Sequence, residues 1–200
     1  MPMNRFHQRF CRSSGWSRHV ENSLLPWVLD GVDLGAHVLE VGPGYGVTTR
    51  LLQDRVPELT ALEIDPALAA RLREHTAAST ATSASASGSV EVVEGDGTAM
   101  PFADEAFSGA VCFTMLHHVQ SEPLQDKLFA EVDRVLRPGG VFAGSDSRVS
   151  AMFRLIHLYD TMVVVDPDTL TTRLEKAGFE DVEVSTSERA LRFKARKPST

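Results

Sequence analysis

The stretch His37-Val38-Leu39-Glu40-Val41-Gly42-Pro43-Gly44-Tyr45-Gly46 joins five residues of strand character to a turn with glycine at every second position, and Val47 to Leu52 follow with helical spacing. Strand, tight turn and helix in that order predict a βα unit whose turn lets the backbone approach a ligand closely. The turn departs from the dinucleotide fingerprint GxGxxG, because Val47 stands where the third glycine would fall. Glu40, two residues before Gly42, points the same way. A carboxylate beside the loop repels a diphosphate and suits a ligand carrying an ammonium or a sulfonium. A nicotinamide-dependent oxidoreductase is therefore the weaker reading of this turn.

Outward from it, the same order repeats. Leu59 to Ile64 reads as a second strand, Asp65 as an N-cap, and Pro66 as the start of a helix through Ala69, Leu72 and Arg73. Residues 76–89, built of Ala, Ser, Thr and one Gly, read as a flexible low-complexity loop. Val90 to Glu94 and Ala110 to Thr114 are strands, Leu124 to Leu136 a helix, and Val141 to Gly144 a strand after the Pro138-Gly139-Gly140 turn. A helix over Asp168 to Ala177 and two closing strands, Val182 to Ser185 and Leu191 to Ala195, complete the pattern. Such alternation predicts an α/β fold, a doubly wound Rossmann-like mostly parallel sheet with an antiparallel C-terminal edge hairpin. Residues 1–30, with Phe6, Phe10 and Trp16 among arginines, read as an N-terminal helical arm or cap, and 31–200 as a single domain.

The chain resembles the class I S-adenosylmethionine-dependent methyltransferases, whose first motif pairs an acid with a GxGxG turn, as Glu40, Gly42, Gly44 and Gly46 do here. Three further motifs follow in order. Glu63 in Ala61-Leu62-Glu63-Ile64-Asp65 matches the family's acid that binds both ribose hydroxyls, a role suited to a carboxylate's two oxygens. Asp96 in Glu94-Gly95-Asp96-Gly97 matches the aspartate that accepts from the adenine amino group, and Leu136 to Val141 supplies the last motif. Ser108 stands where the family usually carries aspartate. The resemblance implies S-adenosylmethionine as cofactor, S-adenosylhomocysteine as its product, and Glu40, Gly42, Gly44, Gly46, Glu63, Ile64, Asp96, Gly97 and Phe113 around it. Glu40 is expected to position the methionyl end.

The implied chemistry is an in-line displacement at methyl, for which orientation matters most and a base is optional. His117 and His118, after the fourth strand, are the candidate bases, and adjacent residues on a regular helix or strand would not share a face. Met115, Asp146, Phe153 and Tyr159 are candidate substrate contacts, the last two within a candidate lid over residues 147–166, where Met152, Leu155 and Ile156 form an apolar stripe. No HExxH or Cys/His spacing accompanies the histidine pair, so no metal is expected. The chain also lacks the (Asp/Asn)-Pro-Pro-aromatic and Pro-Cys motifs that family members acting on nucleic-acid bases carry. The expected acceptor is a small, partly apolar molecule reacting at oxygen, nitrogen or carbon. A noncatalytic binding protein that retains the cofactor pocket is the alternative.

Charge and composition bound these readings. The net charge of −7 is unevenly spread: Arg5, Arg9, Arg12 and Arg18 precede the first acid, Glu21, and Arg189, Arg192, Lys194, Arg196 and Lys197 close the chain. The body between is strongly acidic and repels a polyanion, which argues against a nucleic-acid partner. Apolar runs such as Ala110 to Phe113 fall far short of the ~20 residues that span a bilayer, so no membrane is expected. Cys11 and Cys112 form no paired spacing, which fits a cytoplasmic location. Oligomeric state leaves no trace in the sequence.

Overall fold

The computed structural model describes residues 5–82, 88–156 and 162–200. Its strands are β1 His37–Val41, β2 Glu58–Glu63, β3 Ser89–Glu94, β4 Phe107–Phe113, β5 Leu136–Ser147, β6 Glu180–Thr186 and β7 Ala190–Arg196. They form one sheet in the order β3-β2-β1-β4-β5-β7-β6. The first five are parallel, while β7 lies antiparallel between β5 and β6, so the expected doubly wound sheet and its antiparallel edge pair are both present.

Alternation along each strand sends successive side chains to opposite faces. From β1, Leu39 and Val41 meet Leu128, Phe129 and Val132 of α6 (Glu122–Val135) and Leu170 and Leu174 of α8 (Pro167–Lys176). Val38 faces the other way, with Val111 and Ala143, and is covered by Val20, Leu24, Leu25 and Val28. Those four belong to the N-terminal helices: α1 Arg5–Cys11, α2 Ser14–His19, a π-helical turn at Val20–Leu24 and α3 Leu25–Val28. Each is at most 4 % exposed. The part of the expected arm from Val20 onward is thus sheet core, with Trp16 of α2 packed against its edge.

Other elements differ from expectation for identifiable reasons. The helix α5 (Pro66–Thr82), capped by Asp65 Oδ1 on the amides of Ala67 and Leu68, runs on into the low-complexity tract, because alanine is the best helix former. Residues 76–82 are therefore helical, and 83–87 lie outside the described residues. The strand β5 begins at Leu136, and Pro138-Gly139-Gly140 forms an irregularity within it as the register moves from Phe107↔Leu136 to Gly109↔Val141. Ser108, the departure from the family motif, ties strand starts together: its Oγ accepts from His37 N and lies 2.9 Å from the carbonyls of Leu34 and His37.

The glycine turn leads into α4 (Val47–Leu52) through Gly46, whose φ is 71° and whose Cβ, if present, would lie 2.4 Å from Leu72 Cδ1. This left-handed cap and close approach need glycine. Glu40 shares the Val38 face of β1 and so points toward α4, where Thr48 and Thr49 donate their hydroxyl protons to its two oxygens. It is 1 % exposed. Burial, reinforced by the nearby Glu63 charge, outweighs the two hydroxyls and pushes its carboxyl up from 4.5 to about 7.

A carboxyl raised on folding stabilises the fold while protonated and loses that contribution as pH climbs through its folded value. Between pH 5 and pH 8 the wild-type chain will therefore lose stability relative to Glu40→Gln, by on the order of 3 kcal/mol. Denaturant unfolding at the two pH values measures the difference, and parallel profiles for both proteins would exclude the effect.

Candidate active site

The carboxyl ends of β1, β2, β4 and β5 open into a cavity of about 1870 Å³. It lies where the strand order reverses, between β1 and β4, the place where open α/β sheets bind ligands. Ligand pockets commonly enclose roughly 300–1,000 Å³, so this one has room for two molecules side by side.

One half is built on the glycine turn and the ends of β2 and β3. Glu63, 5 % exposed, accepts from Gly44 N through Oε2 and from Asp65 N through Oε1, both at 2.9 Å. Its burial raises the carboxyl above its ordinary value. Each oxygen retains a lone pair for a ligand hydroxyl. Asp96 lies on the cavity wall, with Oδ1 accepting from Thr98 N at 2.8 Å. Gly97 and Phe113 also line the wall, and Ile64 presents a 62 % exposed side chain there. The Asp96 loop is braced from α6: Arg134 donates to the carbonyls of Phe102 and Met100, and Glu131 accepts from Met100 N.

The other half begins at Thr114, held at φ 50° as the chain leaves β4. Met115 lines the cavity against Gly42, and a 3₁₀ turn at Leu116–His118 follows. Because this turn is tight, the rings of His117 and His118 lie side by side, centroids 4.2 Å apart, and both line the cavity. The expectation that adjacency would separate them assumed regular structure. Asp146 of β5 accepts from His117 N at 2.8 Å through Oδ2 and bonds the His117 ring at Nδ1 through Oδ1. Phe153 of α7 (Ala151–Ile156) stands edge-on to the His117 ring at 5.2 Å. Trp16, His19 and Trp27 from the N-terminal helices, with Arg148 and Arg189, complete the mouth.

Three expectations change. Glu40 sits behind Thr48, which lines the cavity while Glu40 does not, so it supports the turn instead of meeting the ligand. Asp146 is fully buried and does not line the cavity, its oxygens being taken by His117 and the Ser147 amide, which removes it as a substrate contact. Leu155 is 57 % exposed, so the apolar stripe expected for the candidate lid does not face inward there, and Phe153 turns in instead. Tyr159 lies outside the described residues. Trp27 and the Arg134 brace carried no sequence signal; the brace depends on contacts more than thirty residues apart along the chain.

The walls fit S-adenosylmethionine on their own geometry. A Cβ added at Gly44 would meet nothing within 4 Å, so the turn offers bare backbone to the open cavity. Two carboxylates, Glu63 and Asp96, supply acceptors for a nucleoside's donors, and Ile64 supplies an apolar surface for its ring. Among the described residues no group of three or more His, Cys, Asp or Glu side chains is arranged to hold a metal ion, and no helix is long and apolar enough to cross a membrane.

Comparison with known proteins follows the same line. A ribosomal RNA small subunit methyltransferase A from Acidovorax ebreus is 26 % identical over 188 residues, 84 % of this chain, and the match spans 66 % of that relative's length. A relative so named corrects the expectation drawn from charge: an acidic body is no ground for excluding nucleic acid, since phosphate contacts can be confined to basic ends. Solved structures share the fold. A SAM-dependent methyltransferase from Thermotoga maritima superposes with a TM-score of 0.73 at 19 % identity, covering 96 % of this chain and 97 % of that one. An N-methyltransferase from Haemonchus contortus, in complex with phosphomonomethylethanolamine and S-adenosylhomocysteine, gives 0.71 at 15 % identity, covering 99 % and 60 %. Residues 39–144 match the family described as a methyltransferase domain, which sets the nicotinamide reading aside. The chain belongs to that family, as a class I methyltransferase enzyme whose cofactor is S-adenosylmethionine.

Proposed function

We propose that the enzyme transfers a methyl group in line to a partly apolar acceptor group seated between Met115, Phe153 and the tryptophans of the mouth, with His117 taking the acceptor's proton. The observation that carries this reading is that Glu63, Asp96 and the Asp146-held His117 border one cavity. When bound, S-adenosylmethionine supplies an electrophilic methyl on a sulfonium, already a good leaving group.

The chain's own residues then have four tasks. Glu63 accepts from the ribose hydroxyls while Gly44 N and Asp65 N keep its oxygens in place. Asp96 accepts from the adenine amino group, and Ile64, Gly97 and Phe113 pack around the nucleoside. The aromatic groups of the mouth exclude water and orient the acceptor, an effect that can lower a barrier by up to about 7–11 kcal/mol. Asp146 fixes the orientation of the His117 ring through its bond at Nδ1. His118, its ring tilted against that of His117, shapes the wall.

An unpaired RNA base is a second reading of the acceptor. It is favoured by the name of the Acidovorax relative and by the exposed Arg9 of α1, Arg12 between α1 and α2, and Arg18 of α2. Arginines contact phosphates, and aromatic side chains at a cleft mouth stack on splayed bases.

Three outcomes are expected. Glu63→Ala will weaken S-adenosylmethionine binding by about 2–4 kcal/mol in calorimetric titration, since two charge-assisted hydrogen bonds are lost; unchanged affinity would remove its ribose role. His117→Ala will lower methyl transfer by roughly 10²–10⁴ with donor affinity intact, and Asp146→Asn will act in the same direction; full turnover in His117→Ala would end the base reading. With isotopically labelled donor, an RNA acceptor predicts label in small-subunit ribosomal RNA. The salt dependence of RNA binding should then flatten by about one per arginine removed among Arg9, Arg12 and Arg18, whereas label confined to low-molecular-weight acceptors rejects the RNA reading.

A further inference from the structure

Gln125 occupies an interior position of α6, fully buried among Leu128, Phe129 and Val132 on the face turned to the sheet. An apolar residue would suit that place, because a buried amide costs free energy unless every group is bonded. Here both ends of the amide form bonds outside their own helix. Nε2 donates to the carbonyl of Leu116 at 3.0 Å and to that of Val163 at 2.7 Å. Oε1 accepts from Arg173 Nη2 of α8 at 2.9 Å. The amide can sit only one way round, since the reverse would set its NH₂ against a guanidinium and its oxygen against two carbonyls. Arg173 is itself held, by Asp126 Oδ1 at 2.6 Å and the Glu122 carbonyl at 3.2 Å, with its guanidinium over the Phe129 ring.

The two carbonyls that Gln125 grips flank one residue. Leu116 O belongs to the peptide entering His117, and Val163, whose carbonyl takes the other proton, donates its own N–H to His117 O at 2.9 Å. His117 N and Nδ1 go to Asp146. The peptides on both sides of His117 are thus pinned, one directly by Gln125 and the other through Val163.

We propose that Gln125, oriented by Arg173, is a positioning residue that sets the His117 imidazole against Asp146 by fixing the Leu116 and Val163 carbonyls. Its catalytic meaning rests on His117 being the proton acceptor, but the coupling itself is measurable without any acceptor.

The test is nuclear magnetic resonance of the full chain with ¹⁵N-labelled histidine, the His117 signals being assigned by their loss in His117→Gln. Gln125→Glu keeps an oxygen for Arg173 but cannot donate at pH values where it is ionised, and Gln125→Leu removes both functions without adding charge. Both variants should shift the Nδ1 proton signal of His117, which reports its bond to Asp146. Arg173→Lys, which retains charge but loses the two-pronged grip, should produce a smaller shift of the same kind and serves if the Gln125 variants fail to fold. Lys127→Gln, an exposed change on the same helix, should leave the signals alone.

Wild-type His117 signals in a folded Gln125→Leu would overturn the proposal. So would a change confined to Gln125→Glu, which is the field of a new charge, or a lowered melting temperature with the imidazole unaltered, which is a purely structural role. If the Gln125 variants fail to fold, unaltered signals in Arg173→Lys overturn it. Full methyl transfer by His117→Ala would sink the base reading alone, leaving the measured coupling to stand or fall separately.

Discussion

Parallel pairing of β1 with β4, from Val38 opposite Gly109 to Val41 opposite Cys112, is the constraint on which the active site depends. The two strands come from opposite directions of winding, so the connections that leave their carboxyl ends diverge and the cavity opens between them. The glycine turn leaves from one lip and Thr114 from the other. The two walls of the site are built around these ends, and the N-terminal helices complete its mouth. Glu63 is the last residue of β2, and Asp146 lies one residue before the end of β5. Register therefore does much of the work of assembly: a shift of one residue would turn Glu63 and Asp146 to the opposite faces of the sheet.

The residues around the cavity divide by how they are held. On the donor side, backbone geometry dominates: glycines, an Asx-type turn at Asp96 and amide donors to Glu63. On the acceptor side, side chains hold side chains, with Asp146 on His117 and Phe153 against its ring. A cofactor of constant shape suits the first kind of wall. The second kind can change identity at a few positions without disturbing the sheet, as expected where a common scaffold serves many acceptors.

Most of the sheet was legible in the sequence because its strands are short apolar runs bounded by glycine, proline or acids, and β1 was legible to the residue. Glu63 and Asp96 were legible because a strand end followed by a turn acid is a local pattern. The partnership of His117 with Asp146 was not, since 29 residues separate them and only the β4–β5 register brings them together. Gln125 and Arg173 were hidden for the same reason. Glu40 shows a different failure: strand parity already placed it on the Val38 face, toward α4, but its position beside the glycine turn suggested a ligand contact. The Ala-rich tract misled through composition, because low complexity signals disorder on average while alanine favours helix.

The place of β7 in the sheet has a consequence for synthesis. It is the last of the seven strands to leave the ribosome, yet it takes an interior position between β5 and β6. Until it arrives, β5 presents a bare hydrogen-bonding edge at Val141 to Ser147, which includes the apolar Phe142 and Ala143, and β6 has no strand partner. A nascent chain halted before Ala190 thus exposes the kind of unpaired edge that recruits other strands. Covering of the β5 edge therefore waits for β7.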